Sequence, residues 1–271
     1  MALTFYLALV DLMVVVAFAL AAIILKALDG RGFLASVAVG FSILVGGGLS
    51  WFIIVAVFFT LGVAFTWYQY EYKRKMGTAQ EKGGARNWPN ILANGGMASI
   101  FAVANFLSAG PAFAVLFLGS ISTSAADTVA TELGLLSERT PTLITHPGRP
   151  VPPGTSGGVT SLGFAGALLA STVIGVMAML MNVVAGGLPA LAVSVVGGLV
   201  GASADSLMGA TLQRRGFCTV CLKPTEALRH CGERTAVTGG VRFIENNIVN
   251  LVSTAVGAAA SLALALSLSL V

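Results

Sequence analysis

The chain reads as an all-α bundle of membrane-spanning helices, and three observations carry that reading. Hydrophobic residues make up 56% of the 271 positions and charged residues only 10%, with a mean hydropathy of +0.90, a composition outside the range of soluble domains. Apolar runs of about 20 residues, the length that crosses a hydrocarbon core, recur along the whole chain. All fifteen Lys and Arg fall in or beside alternate connections between those runs.

The runs cover residues 4–27, 32–47, 49–67, 90–108, 110–133, 159–184, 188–209 and 246–269, which gives eight spans in one transmembrane domain, 1–271. The stretch 32–67 is too long for one untilted span. Gly46, Gly47 and Gly48 interrupt it, so it predicts two short helices or a broken pair, with a seven-span count as the rival. The first run has no basic segment before it and no small-residue cleavage site after it, so it reads as a retained span, not a signal peptide.

The basic residues are Lys26 and Arg31, then Lys73, Arg74, Lys75, Lys82 and Arg86, then Arg139 and Arg149, then six between 214 and 242. By the positive-inside rule these odd loops face the cytoplasm, which places both termini on the other side and favours an even span count. The main cytoplasmic loops are then 69–89, 134–158 and 210–244. Trp67, Tyr68, Tyr70 and Tyr72 sit at the inner interface of this scheme and Trp51 near the outer one. The net charge of +4 serves topogenesis and attraction to anionic membrane lipid, and no nucleic-acid partner is expected.

Against that frame the acids stand out. Asp127 and Glu132 lie inside the fifth run and Asp205 inside the seventh. An ionisable group in a span costs at least about 2.5 kcal/mol on insertion scales, so such acids point to function. With Asp29 and Glu245 they gather at the cytoplasmic face, while Asp11 lies toward the other. Residues 119–128 read GSISTSAADT and residues 197–206 read GGLVGASADS, a Gly followed eight positions later by Asp and then a hydroxyl residue. The pairing suggests an internal duplication, against chance matching in an Ala/Gly-rich chain. Small residues before each Asp let helices approach closely, and two carboxylates brought together need a cation. Mg²⁺ suits an oxygen-only site beside phosphates, with Asp127, Glu132, Asp205 and Asp29 as candidate ligands.

Arg86, Asn90 and Asn94 are four apart at the start of the fourth span, and Arg242, Asn246 and Asn250 at the start of the eighth. Spacing of four lines one helical face. Capping accounts for Asn90 or Asn246, but Asn94 and Asn250 lie a turn deeper, where an amide can hold a phosphate without charge. The loop with Lys73, Lys75, Lys82 and Arg86 suits a polyphosphate, as do Gly154, Thr155, Ser156 and Gly157, whose backbone N–H groups lead into the sixth span. That Gly-rich turn does not match a P-loop. All three cysteines fall in the last loop, where Cys218, Cys221, His230 and Cys231 form C-x₂-C-x₈-H-C. This is the ligand set of a small structural zinc element; unligated thiols are the alternative, and adjacent His and Cys ligands are geometrically awkward. His146 has nothing nearby to complete an acid–base set.

The segments RNWPNILANGG (86–96), SAADTVATELG (124–134), PVPPGTSGGVTSLG (150–163), DSLMGATLQ (205–213) and IENNIVNLVSTAVGA (244–258) together resemble the integral-membrane family that includes the phytyl-phosphate kinase of phytol salvage and its uncharacterised prokaryotic homologues. The resemblance covers nearly the whole chain. It implies CTP-dependent phosphorylation of an isoprenoid monophosphate to the diphosphate, carried by Asn94, Asp127, Thr128, Thr131, Glu132, Asp205, Asn246, Asn247 and Asn250. The family pattern favours an acid or amide where Ser156 stands and an Asp near 245–247, and the chain departs from it at both places. A phosphate monoester is already an anionic nucleophile, so such a site needs charge neutralisation and alignment more than a general base. Two alternatives share the metal site, a lipid-alcohol kinase and a cytidylyltransferase; an ion-coupled transporter is the alternative of another class.

Overall fold

The computed structural model describes residues 2–271 except Lys223 and Ala227. Its helices are α1 (Ala2–Ile24), α2 (Gly30–Trp67), α3 (Tyr70–Lys75), α4 (Trp88–Ser108), α5 (Pro111–Gly134), α6 (Ser161–Leu180), α7 (Leu188–Thr211) and α8 (Asn246–Ser267). Six of them, α2 and α4 to α8, are long and apolar enough to cross a membrane, and α1 adds a shorter apolar stretch, Ala8–Ile24. The helical membrane bundle expected from composition is the architecture found.

The predicted break in 32–67 is a fold-back. As a straight rod the 38 residues of α2 would reach about 57 Å at 1.5 Å per residue, nearly twice a hydrocarbon core. Gly48 instead takes φ 73° and ψ −174°, a conformation open to glycine and strained for other residues. The arms 30–47 and 49–67 then pack against each other: a Cβ placed on Gly40 would lie 3.3 Å from the Phe52 ring. Gly32 and Gly62, at opposite ends of the helix, both lie against Arg86. Leu44 and Phe52 share a buried cluster with Val15 of α1. Counted by arms, the bundle has eight apolar segments.

Sequence sets the helix starts. Asp29 accepts from Gly32 N (2.8 Å), Asn87 from Asn90 N (3.1 Å) and Thr160 from Gly163 N (2.9 Å), capping α2, α4 and α6. Helices α5 and α7 each begin behind a glycine with a proline in the first turn. Asn87 therefore caps α4 in place of Asn90, and Glu245 precedes α8 in place of Asn246.

Helix α5 runs through the middle, packed by α4, α6, α7, α8 and α2, with Val115, Phe117, Leu118, Ile121 and Val129 fully buried. Its crossing with α7 and α8 is close because the residues there are small. Thr123 Oγ1 donates to Gly119 O (2.9 Å) and Gly197 O (3.0 Å), the Ser122 and Ser194 hydroxyls are 2.6 Å apart, and Ser261 donates to Val193 O (2.9 Å). A Cβ on Gly197 would come within 3.0 Å of the Gly119 Cα. The two glycines that open the repeated decapeptides thus meet at the crossing.

The connecting loops carry strands that the all-helical reading does not anticipate. Between α5 and α6, β1 (Thr142–Leu143), β2 (His146–Pro150) and β3 (Gly158–Val159) form a sheet ordered β2-β1-β3. Between α7 and α8, β4 (Arg215–Phe217), β5 (Pro224–Thr225) and β8 (Ala236–Gly239) are ordered β5-β4-β8, and β6 (Arg229–His230) pairs with β7 (Glu233–Arg234).

Candidate functional site

A polar cavity of about 920 Å³ opens at one end of the bundle. The C-terminal turns of α5 and α7, the N-terminal turns of α4, α6 and α8 and the loops between them enclose it. Of the residues singled out in the sequence, it is lined by Lys82, Arg86, Asn90, Asn94, Asp127, Thr128, Thr131, Glu132, Gly154, Thr155, Ser156, Gly157, Asp205, Asn246, Asn247 and Asn250. Residues as far apart in sequence as Lys82 and Asn250 therefore share one wall.

Asp127 near the end of α5 and Asp205 near the end of α7 stand close together on the wall of the cavity. Their approach follows from the small-residue crossing one to two turns below. Ser253 Oγ donates to Asp205 Oδ2 at 3.0 Å. Asn250, with its amide nitrogen turned inward, donates to Asn246 O (2.9 Å) and to the same Asp205 oxygen (3.2 Å). Among the described residues no Lys, Arg or His forms a salt bridge with either Asp. Two facing carboxylates with hydroxyl and amide support and no base fit a divalent cation.

Glu132 behaves differently although it shares α5. Its Oε2 lies 2.6 Å from Lys73 Nζ and its Oε1 accepts from Thr66 Oγ1 at 3.0 Å. Lys73 also donates to Phe65 O (2.8 Å) and Thr66 O (3.0 Å), the last carbonyls of α2. The pair is enclosed, with side-chain exposures of 1% and 3%. Lys73 is thus a buried structural cation, absent from the cavity wall that the sequence pattern assigns it to. Glu132 touches the wall with its charge already neutralised.

Two other assignments move for similar reasons. Asp29 lies outside the cavity. The Gly32 N–H, followed by Lys82 at 3.1 Å, holds its carboxyl below the usual carboxylate range, with burial opposing them. Lys75 is exposed at the end of α3 and does not line the cavity either. Lys82 lines the rim while paired to Asp29.

Arg86 is fixed by its backbone, which accepts from Asp29 N (3.1 Å) and donates to Ala27 O (2.9 Å). Its guanidinium sits over the Phe59 ring at 5.7 Å, and its buried Nη1 has no hydrogen-bond partner among the described residues. Burial lowers its affinity for a proton and the nearby Glu132 charge restores part of it. A second, apolar cleft of about 60 Å³, lined by Phe18, Val39, Phe52, Phe59 and Ile91 among others, borders the polar cavity, and Arg86, Asn90 and Asn94 line both.

The loop between α7 and α8 reaches over the mouth. Glu226 accepts from Gln213 Nε2 at 2.7 Å and from the Ser156 hydroxyl. Neither Glu226 nor Gln213 is marked by sequence spacing, because strand pairing places them; the available signal was an acid five residues beyond Cys221. In the same loop Cys218, Cys221, His230 and Cys231 converge, their ligand atoms all within 4.8 Å of one another. The Cys221 N–H lowers the Cys218 thiol to about 6, whereas hydrogen bonding to the Cys221 sulfur raises Cys231 to about 11.

The family profile described as Integral membrane protein DUF92 matches residues 13–258. Protein PGR of Arabidopsis thaliana is 31% identical over 244 residues, covering 76% of this chain and 83% of its own length. An uncharacterised membrane protein of Methanocaldococcus jannaschii is 31% identical over 191 residues, 70% of this chain and 77% of its own. Another from Synechocystis is 26% identical over 180 residues, 64% and 68% respectively. No solved structure matches. With a match that spans all the cavity walls, the chain belongs to the DUF92 family of integral membrane proteins.

Proposed function

We propose that the protein is a nucleotide-dependent kinase of isoprenoid monophosphates, using CTP and working at the cytoplasmic face of the membrane. The observation that carries the reading is the meeting of a polar chamber and an apolar cleft at Arg86, Asn90 and Asn94. A lipid phosphate has that same division. Its head would lie against the free Nη1 of Arg86 and the two amides, and the first part of its tail in the cleft between α1, α2 and α4, with the remainder against lipid. Guanidinium N–H groups match phosphate oxygens in geometry and charge. The chamber volume falls within the range of about 300–1,000 Å³ of small-molecule sites.

The reaction this arrangement suits is transfer of the terminal phosphoryl group to an oxygen of the lipid phosphate. An O–P bond forms to the acceptor, and the bond to the nucleoside diphosphate breaks. Asp127 and Asp205 would hold Mg²⁺, which neutralises the phosphate oxygens when bound. Ser253 and Asn250 orient Asp205. Lys82 and the backbone at 154–158 would hold the nucleotide phosphates, and Asn246 and Asn247 complete the wall. Glu226, hydrogen-bonded to Ser156, supplies a carboxylate where the family pattern favours an acid or amide.

A lipid-alcohol kinase or cytidylyltransferase would use the same groups, and labelled CTP separates them because only the latter transfers CMP to the lipid. A transporter needs a polar path to both ends, whereas the polar cavity is lined from one end of the bundle. The test is diphosphate formation by the purified protein with CTP, ATP, UTP and GTP against phytyl, geranylgeranyl and farnesyl phosphates. Product with a prenyl phosphate is the expected result; none from any pair would overturn the kinase.

A further inference from the structure

The loop between α7 and α8 has five short strands joined in three pairings and, among the described residues, almost no apolar core. Among the described residues between Gln213 and Glu245, Cys218 is the only buried hydrophobic one, while Val220, Leu222, Leu228, Val237 and Phe243 are exposed. Arg214 holds one side, donating to Glu226 O (3.0 Å) and Thr235 Oγ1 (2.6 Å). The other side holds the cysteines. Segments this short need a staple, a disulfide or a metal, when burial is insufficient.

Two tight turns face each other there. The first follows β4, where Leu222 N donates to Cys218 O at 3.0 Å and Leu222 takes φ 57°. The second joins β6 to β7, with positive φ at both central residues, Cys231 (53°) and Gly232 (84°), as in primed hairpin turns. Left-handed backbone at Cys231 turns its sulfur back toward the His230 ring, which removes the difficulty of adjacent ligands. His230 Nδ1 is 3.2 Å from Cys231 Sγ and 3.4 Å from Cys221 Sγ. The edge of a tetrahedron with Zn–S of about 2.3 Å and Zn–N of about 2.0 Å is roughly 3.5–3.8 Å, so the ligand atoms stand near their final spacing. Arg229 and Arg234 are direct cross-strand partners, a like-charge pairing that is unfavourable by itself. Three thiolates, one neutral imidazole and Zn²⁺ would place a net negative charge beside them.

We propose that Cys218, Cys221, His230 and Cys231 bind one structural Zn²⁺, and that this ion holds the ribbon that presents Glu226 to the mouth of the polar cavity. The site is closed by four protein ligands and leaves no position for substrate, as structural zinc sites do. It is independent of the kinase reading, and so is its test.

Metal analysis of the full-length protein, purified under reducing conditions, should give about one zinc per chain. Exchange with Co²⁺ should give the intense absorption of tetrahedral cobalt together with thiolate charge-transfer bands. C218S and C221S should lose the metal. Because such variants can fail to fold, the wild-type protein is also stripped with a mercurial and a chelator and followed by hydrogen exchange. Protection should fall across 214–239 and stay unchanged in α5 and α7. Metal-free protein with three freely reactive thiols and a folded bundle would overturn the site. Unchanged protection of the ribbon after stripping would overturn its structural role.

Discussion

Two acids on one helix, Asp127 and Glu132 of α5, end differently. Glu132 is matched inside the protein: Lys73 supplies the opposite charge, Thr66 a hydroxyl donor, and both groups are almost fully enclosed. Asp127, five residues earlier, meets a second carboxylate and no salt-bridging base among the described residues. The first arrangement is complete without a ligand. The second is not, and it opens on a cavity. Acids in a bundle are therefore sorted by what neutralises them, and an internally neutralised acid is scaffold.

The largest effect should come from removing charge at the unmatched pair. D127N or D205N should lower diphosphate formation by roughly 10³-fold, as loss of a preorganised electrostatic group does, with thermal stability equal to or above wild type because a like-charge contact is relieved. Full activity in D127N would erase the distinction between the two acids. At the matched pair the sign reverses. K73M leaves Glu132 buried and unpaired, which costs about 3–5 kcal/mol, whereas K73M/E132M removes both charges and should regain most of that. Denaturant titration of the detergent-solubilised variants reads both, and an inactive double variant of restored stability would move Glu132 into the site.

A smaller effect is expected where the two cavities meet. R86K keeps the charge and loses the planar fork, so KM for the lipid phosphate should rise about tenfold with the nucleotide KM unchanged. Equal rises for both substrates would place Arg86 on the nucleotide. The smallest belongs to Asp29, a cap outside the cavity: D29A should cost about 1 kcal/mol and leave kcat alone. Because its folded pKa lies below the unfolded one, the stabilisation is present above the unfolded value and lost as pH falls through the folded one. A pH series of melting temperatures for wild type and D29A should converge at the acid end.

Helix number, the break near Gly48 and the gathering of polar residues at one end were readable because each has a one-dimensional signature: apolar length, glycine and charge. The repeated decapeptides even indicated which helices cross, since Gly119 and Gly197 meet below Asp127 and Asp205. Lys73 lies away from the cavity wall that its sequence position suggests, because a basic residue in a polar loop looks solvated until a short helix turns it inward. Sequence spacing offers Asn90 as the cap of α4, whereas Asn87, three positions earlier, does that work. Glu226 could not be placed, since strand pairing within a loop that lacks an apolar core leaves little periodicity to read.

The fold-back of α2 bears on how the chain enters a membrane. From Gly32 to Tyr70 there is no ionisable side chain other than the Trp67-flanking tyrosines, and the two arms already adhere through Gly40 and Phe52. The arms can insert together as a hairpin with the glycine tip leading, since no formal charge has to pass through the hydrocarbon. The basic residues on either side, Arg31 before the hairpin and Lys73, Arg74 and Lys75 after it, lie outside the stretch that has to cross.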